Sequence, residues 1–158
     1  MKEHKSIAPP KRFRHSVIPH IIVRGAAKAI DFYVGAFGAK EIFRLVDEKG
    51  RILHAEIQIA RSILMLGDAE GTLKHPDALG GTTVSLHVYV TDVDDVFSQA
   101  VKAGCKILQE VRNMFYGERA GRLIDPFGHI WVLLTPIEEV TPEEIASRAK
   151  KIASIRNI

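Results

Sequence analysis

The chain carries a repeat, and the repeat limits the folds open to it. The stretch VIPHIIV, residues 17 to 23, sets His20 three residues before Val23, and TVSLHVYV, residues 83 to 90, sets His87 three before Val90. Each is β-rich and is followed by a segment with apolar residues near helical spacing that stops at a glycine. In the first these are Ala26, Ile30, Val34 and Phe37 before Gly38; in the second, Val93, Val96, Phe97, Ala100 and Val101 before Gly104. The histidine-to-glycine distances are 18 and 17 residues. Two copies of one supersecondary unit follow, because a pattern repeated at one spacing is the mark of a repeated fold unit.

The rest of each copy reads as three strands. In the first, KEIFRLVDE (40 to 48), RILHAEIQI (51 to 59) and SILMLGD (62 to 68) are separated by turns at Lys49-Gly50 and Ala60-Arg61. In the second, KILQEV, GERAGRLID and HIWVLLT are separated by the loop NMFYG and the turn DPFG. Both units are therefore βαβββ, over residues 17–68 and 83–136. Residues 69–82 link them as an aperiodic loop rich in Gly, Pro and Asp. Residues 1–16, with Pro9-Pro10, read as a flexible basic arm, and 137–158 as a C-terminal turn and helix. That helix has Thr141 as N-cap, Pro142 at its first position and Glu144 completing a capping box.

With 158 residues the chain is one structural domain with a full core. The pI of 9.1 suggests a nucleic-acid binder, but the charge lies at the ends. Residues 1–14 hold five Lys/Arg against one Glu and residues 142–158 four against two, while the segment between is net acidic. No basic patch interleaved with aromatics is present, so neither a nucleic acid nor a membrane is an expected partner. No apolar run reaches the roughly 18 residues that span a bilayer, and a cytoplasmic location is expected. The single cysteine, Cys105, lies between apolar residues and reads as an inert buried thiol. Neither a G-x-S-x-G elbow nor a P-loop nor a dinucleotide fingerprint occurs.

Paired βαβββ modules carrying AIDFYVGAFGAKEIFR, HAEIQIARSILMLGD and GERAGRLIDPFGHIWVLLT resemble the vicinal oxygen chelate superfamily: glyoxalase I, bleomycin-resistance proteins and extradiol dioxygenases. The PhnB-like branch is the nearest in look. The resemblance implies an α+β fold in which the two modules form a curved mixed sheet with a concave cleft and helices on the convex side. It also implies a small-molecule ligand and a homodimer. Metal-using members place one ligand on the first strand and one on the last strand of each module. Matched strand to strand, those positions are Ile18, Ser85 and the neighbourhoods of Met65 and Val132. None is a customary hard-metal ligand.

The polar residues left for the cleft follow from alternation. His20 shares a face with Ile18, His87 with Ser85, and His54, Glu56 and Gln58 face opposite to Ala55, Ile57 and Ile59. A helix covers the apolar face, so the polar one looks into the cleft. His20, His54, Glu56 and His87 are thus expected to bind ligand, with Phe115 and Tyr116 closing over it and Arg119, beside Glu118, anchoring an anionic group. The expected function is metal-free binding of a small molecule, with no cofactor. The alternative is a lyase or dioxygenase in which His20, Glu56 and His87 hold a divalent metal as a shifted facial triad. Trp131 is expected on the helix side, His129 at the surface, and His4 and His75 outside any constellation.

Overall fold

A computed structural model describes residues 10–13 and 17–156, the last three of these as backbone only. The first module is β1 (His20–Val23), α1 (Ala26–Phe37), β2 (Lys40–Val46), β3 (Ile52–Ile59) and β4 (Ser62–Asp68). A one-turn helix, α2 (Pro76–Leu79), interrupts the linker that was expected to be irregular. The second module is β5 (Ser85–Tyr89), α3 (Val93–Ala103), β6 (Lys106–Asn113), β7 (Glu118–Ile124) and β8 (Ile130–Pro136), and α4 (Pro142–Arg156) closes the chain. Each module forms a four-stranded mixed sheet, in the orders β1-β4-β3-β2 and β5-β8-β7-β6. Only the β1–β4 and β5–β8 pairs are parallel. Most of the basic arm and His4 lie outside the described residues.

The first strand begins at His20 rather than Val17. Pro19 has no N–H to give, and it joins the ladder only by accepting from the Met65 N–H at 2.9 Å. α1 starts after Gly25, which has no side chain to cap it. Asp68 at the end of β4 does so instead, accepting from the N–H groups of Gly25 (2.8 Å) and Ala26 (2.9 Å) and, through its other oxygen, from Ile52 N–H (2.9 Å). α1 stops where Gly38 takes the left-handed conformation (φ 62°) and returns its N–H to the last turn. α3 is capped by Asp92, which accepts from Asp95 N–H at 3.1 Å. Thr141 caps α4 through Glu144 N–H at 3.2 Å, but half of the expected capping box is missing. The Glu144 carboxylate accepts from Arg148 at 3.1 Å, because a guanidinium one turn on is the stronger donor.

The two module helices, α1 and α3, lie on one side. α1 packs against α3, and Gln99 of α3 donates to the Gly35 carbonyl of α1 at 2.7 Å. The core beneath α1 runs from Val23, Ile57 and Leu66 across to Trp131 of β8, which is 1% exposed. The aromatic rings of Tyr33, Phe37 and Trp131 meet there, with Phe37 and Trp131 4.5 Å apart. Asp125, in the DPFG turn, ties the modules together. It accepts from Tyr33 O–H and Trp131 Nε1 at 2.8 Å each and from the N–H groups of Phe127 and His129. His129 is therefore buried, not superficial: its ring nitrogen lies 3.1 Å from the Ile22 carbonyl of the first module. Cys105 is buried against α3, and burial pushes its thiol up to about 12. Among the described residues no helix is long and apolar enough to cross a membrane.

Candidate functional site

Strand alternation sorts the side chains of each sheet. In β3, Ala55, Ile57 and Ile59 enter the core under α1, and His54, Glu56 and Gln58 take the opposite face. Register aligns the polar face across strands. His20 of β1 and Glu56 of β3 both pair with Met65 of the β4 strand between them, and Phe43 of β2 pairs with Glu56. One row thus reads His20, Met65, Glu56, Phe43. The ring of His54 stands 5.6 Å from that of His20 and 6.2 Å from that of Phe43, and its Nε2 is 3.6 Å from Glu56.

Glu56 is 4% exposed, a depth at which a carboxylate needs a partner. The partner is Arg12, whose Nε and Nη2 donate to its two oxygens at 2.6 and 3.1 Å. This bidentate contact, aided by His54, holds Glu56 below the usual carboxylate range despite its burial. Burial, with the neighbouring His54 adding, pulls His20 below the ordinary imidazole value.

The second sheet repeats the layout with different chemistry. His87 pairs with Val132 and Arg122 with the same Val132, so the row reads His87, Val132, Arg122, Gln109. In the repeat, an arginine stands where the first module has Glu56. The adjoining row is Tyr89, Leu134, Ala120, Arg112. Across the two rows, Ala120, Val132 and Leu134 form an apolar floor with Met114. His87 Nε2 is 3.2 Å from Ser85 Oγ, and Tyr89 O–H donates to Glu118 at 2.7 Å. Tyr116 lies within electrostatic reach of Glu118, Arg112 and Arg122; burial and Glu118 raise its phenol above the ordinary value. The rings of Phe115 and Tyr116 meet edge-on at 5.1 Å, and Arg148 of α4 pins their loop by donating to the Phe115 carbonyl at 3.2 Å.

Between the modules lies a cleft of about 850 Å³, lined mainly by apolar side chains together with Arg12, Arg61, Ser85, His87 and Tyr89. His20 lines a different cleft, of about 640 Å³, with the linker and Leu86. His20, His54 and Glu56 are therefore gathered in one place and His87 belongs to another. Arg119 belongs to neither. Its fork binds Asp94 of α3 through two 2.7 Å contacts, on the helix side. Alternation puts Arg119 and Glu118 on opposite faces, and Arg112 and Arg122 are the arginines on the polar face. Alternation from His87 and Glu118 would also have found Tyr89 and Arg122. Nothing local could have found Arg12, which reaches Glu56 from 44 residues away.

Residues 12–133 match the family model of the Glyoxalase/Bleomycin resistance protein/Dioxygenase superfamily, and the chain belongs to that superfamily. Among its relatives is the uncharacterized protein Mb0911c of Mycobacterium bovis, 42% identical over 132 residues, which are 80% of this chain and 87% of that one. The fold is shared with the PhnB protein from Bacillus cereus (TM-score 0.60, 19% identity, 77% of this chain and 99% of that one). It is shared equally with the fosfomycin resistance protein FosX from Listeria monocytogenes (TM-score 0.60, 17% identity, 86% and 98%), whose structure holds Mn(II) and sulfate.

A divalent ion of that kind needs three or more converging oxygen or nitrogen donors. Among the described residues no three His, Cys, Asp or Glu side chains are grouped to hold one. Met65, between His20 and Glu56, offers only soft sulfur, and both Glu56 oxygens are engaged by Arg12. The donor set of the described residues does not fit a chelated metal.

Proposed function

We propose that the protein binds a small organic molecule against the polar faces of its two sheets, through hydrogen bonds and aromatic contact and without a chelated metal. The observation that carries this reading is the segregation of polar groups away from the helices. His20, His54 and Glu56 gather on the first sheet, and Ser85, His87 and Tyr89 line the cleft beside the second. A concave apolar surface with a few placed polar groups is the ordinary form of a ligand site. Phe115 and Tyr116 border the second face, and Arg112 and Arg122 take the anchoring part first expected of Arg119. A homodimer fits the same reading. The outer strands β2 and β6 expose Phe43 (46%), Leu45 (48%) and Leu108 (49%), and a second copy laid over them would bury that surface.

A thermal-shift screen of small aromatic and hydroxylated molecules tests this. A compound that raises the melting temperature of the wild type and loses that effect in His54→Ala, if it lies on the first face, or in His87→Ala, if it lies on the second, is the expected result. Compounds that shift all three proteins alike would overturn the assignment of the site. Protein purified without an affinity tag or chelator is expected to carry no stoichiometric metal. Near one equivalent of Fe, Mn, Ni or Zn, lost in His20→Ala/His87→Ala, would overturn the metal-free reading in favour of the metal-dependent lyase or dioxygenase alternative.

A further inference from the structure

The polar face of the first sheet holds a fixed acceptor and a donor that the sheet does not supply. Glu56 is anchored in β3 with its side chain 5% exposed, whereas that of Arg12 is 43% exposed. Arg12 is presented by a turn closed by the Phe13 N–H on the Pro10 carbonyl at 2.9 Å, and its guanidinium lies 4.6 Å from the centroid of the Phe13 ring. Among the described residues its only hydrogen bonds are the two to Glu56. Around the carboxylate stand His54, Met65 and Phe43, a half-aromatic wall next to a buried negative charge.

We infer that Glu56 is the receptor carboxylate of a site for a planar organic cation, an amidinium or guanidinium carried on a small molecule, and that Arg12 is the chain's own occupant of it. The inference rests on reading this face as a ligand surface, and it names the chemistry of the ligand group. Three features point to a planar fork. Both carboxylate oxygens are presented to one side, which matches two parallel N–H donors and not the single point charge of an ammonium. The carboxylate stays charged, so a neutral ligand that displaced Arg12 would leave a buried charge unpaired. The aromatic neighbours suit a delocalised cation, which is more weakly hydrated than an ammonium.

Because Arg12 is tethered, it competes with any external cation at an effective concentration on the order of millimolar. Its removal should therefore uncover affinity that the wild type masks. The probe is benzamidine, with neutral benzamide as control, titrated calorimetrically into the full chain. Arg12→Ala is expected to bind benzamidine about tenfold or more tightly than the wild type and to ignore benzamide, and Arg12→Ala/Glu56→Gln is expected to bind neither. Equal affinities in wild type and Arg12→Ala, binding that survives Glu56→Gln, or equal binding of benzamide would each overturn the inference. If Arg12→Ala does not fold, Arg12→Lys keeps the charge and loses the fork; a gain in benzamidine affinity supports the site and no gain overturns it. A compound that stabilises the wild type through His54 or His87, while the Arg12 variants gain nothing for benzamidine, would remove the cation site and leave the broader ligand-binding reading standing.

Discussion

Arg12 and Glu56 show how one residue's state depends on another far along the chain. Glu56 alone would be a buried charge on a strand; paired, it is an anchor. Arg12→Ala is expected to lower the melting temperature at neutral pH, and adding Glu56→Gln to recover part of the loss, because the glutamine removes the uncompensated charge. Calorimetry of the two variants checks this. The pH sign follows from the same pair. With its value held below that of the unfolded chain, Glu56 contributes stability above the unfolded carboxylate value, and that contribution is lost as pH falls through the lowered one. Glu56→Gln should therefore flatten the acid limb of a melting-temperature profile. His20 moves the other way in charge: burial and His54 favour its neutral form, so folding is penalised as pH drops below the ordinary imidazole value. In an NMR titration His20 should titrate below a free imidazole, and His54→Ala should bring it partway back.

Among the elements, the turn between β7 and β8 carries more than a turn requires. The DPFG sequence announces the reversal, and the Gly128 N–H closes it on the Asp125 carbonyl at 3.1 Å. The Asp125 side chain also gathers donors from Tyr33 in the first module and Trp131 in the second. Burial, with the Asp125 charge adding, pushes the Tyr33 phenol well above its ordinary range, so it remains a donor. Asp125→Ala leaves those donors buried without an acceptor and should cost about 3 kcal/mol or more in denaturant unfolding. Where α3 crosses β7, a Cβ at Gly121 would lie 2.5 Å from the Phe97 ring and 2.9 Å from Val111. Gly121→Ala should lose about 1–3 kcal/mol in the same assay through overpacking. The strand pattern made β7 legible as a strand. That Gly121 is there to admit α3 depends on the helix's docking, which no local pattern encodes.

At the scale of the whole molecule, two polar faces and two exposed outer strands call for a cover. If a second copy supplies it, Leu45→Lys, placing a charge within that contact, should shift the sedimentation of the protein from dimer to monomer without unfolding it. The repeat, the βαβββ order of both modules and the side of each strand on which a residue stands are all written along the chain. These are local properties, set by the 2-residue and 3.6-residue periods of strand and helix. The same alternation brings His20, His54 and Glu56 to one face. Which faces meet is an outcome of packing. The register put both His20 and Glu56 beside Met65, the docking of α3 engaged Arg119 with Asp94 on the helix side, and the packing of the modules left His20 and His87 in separate clefts. The N-terminal turn put Arg12 onto Glu56. Those outcomes rest on contacts between residues tens of positions apart, whose energies depend on burial and geometry that a local pattern does not contain.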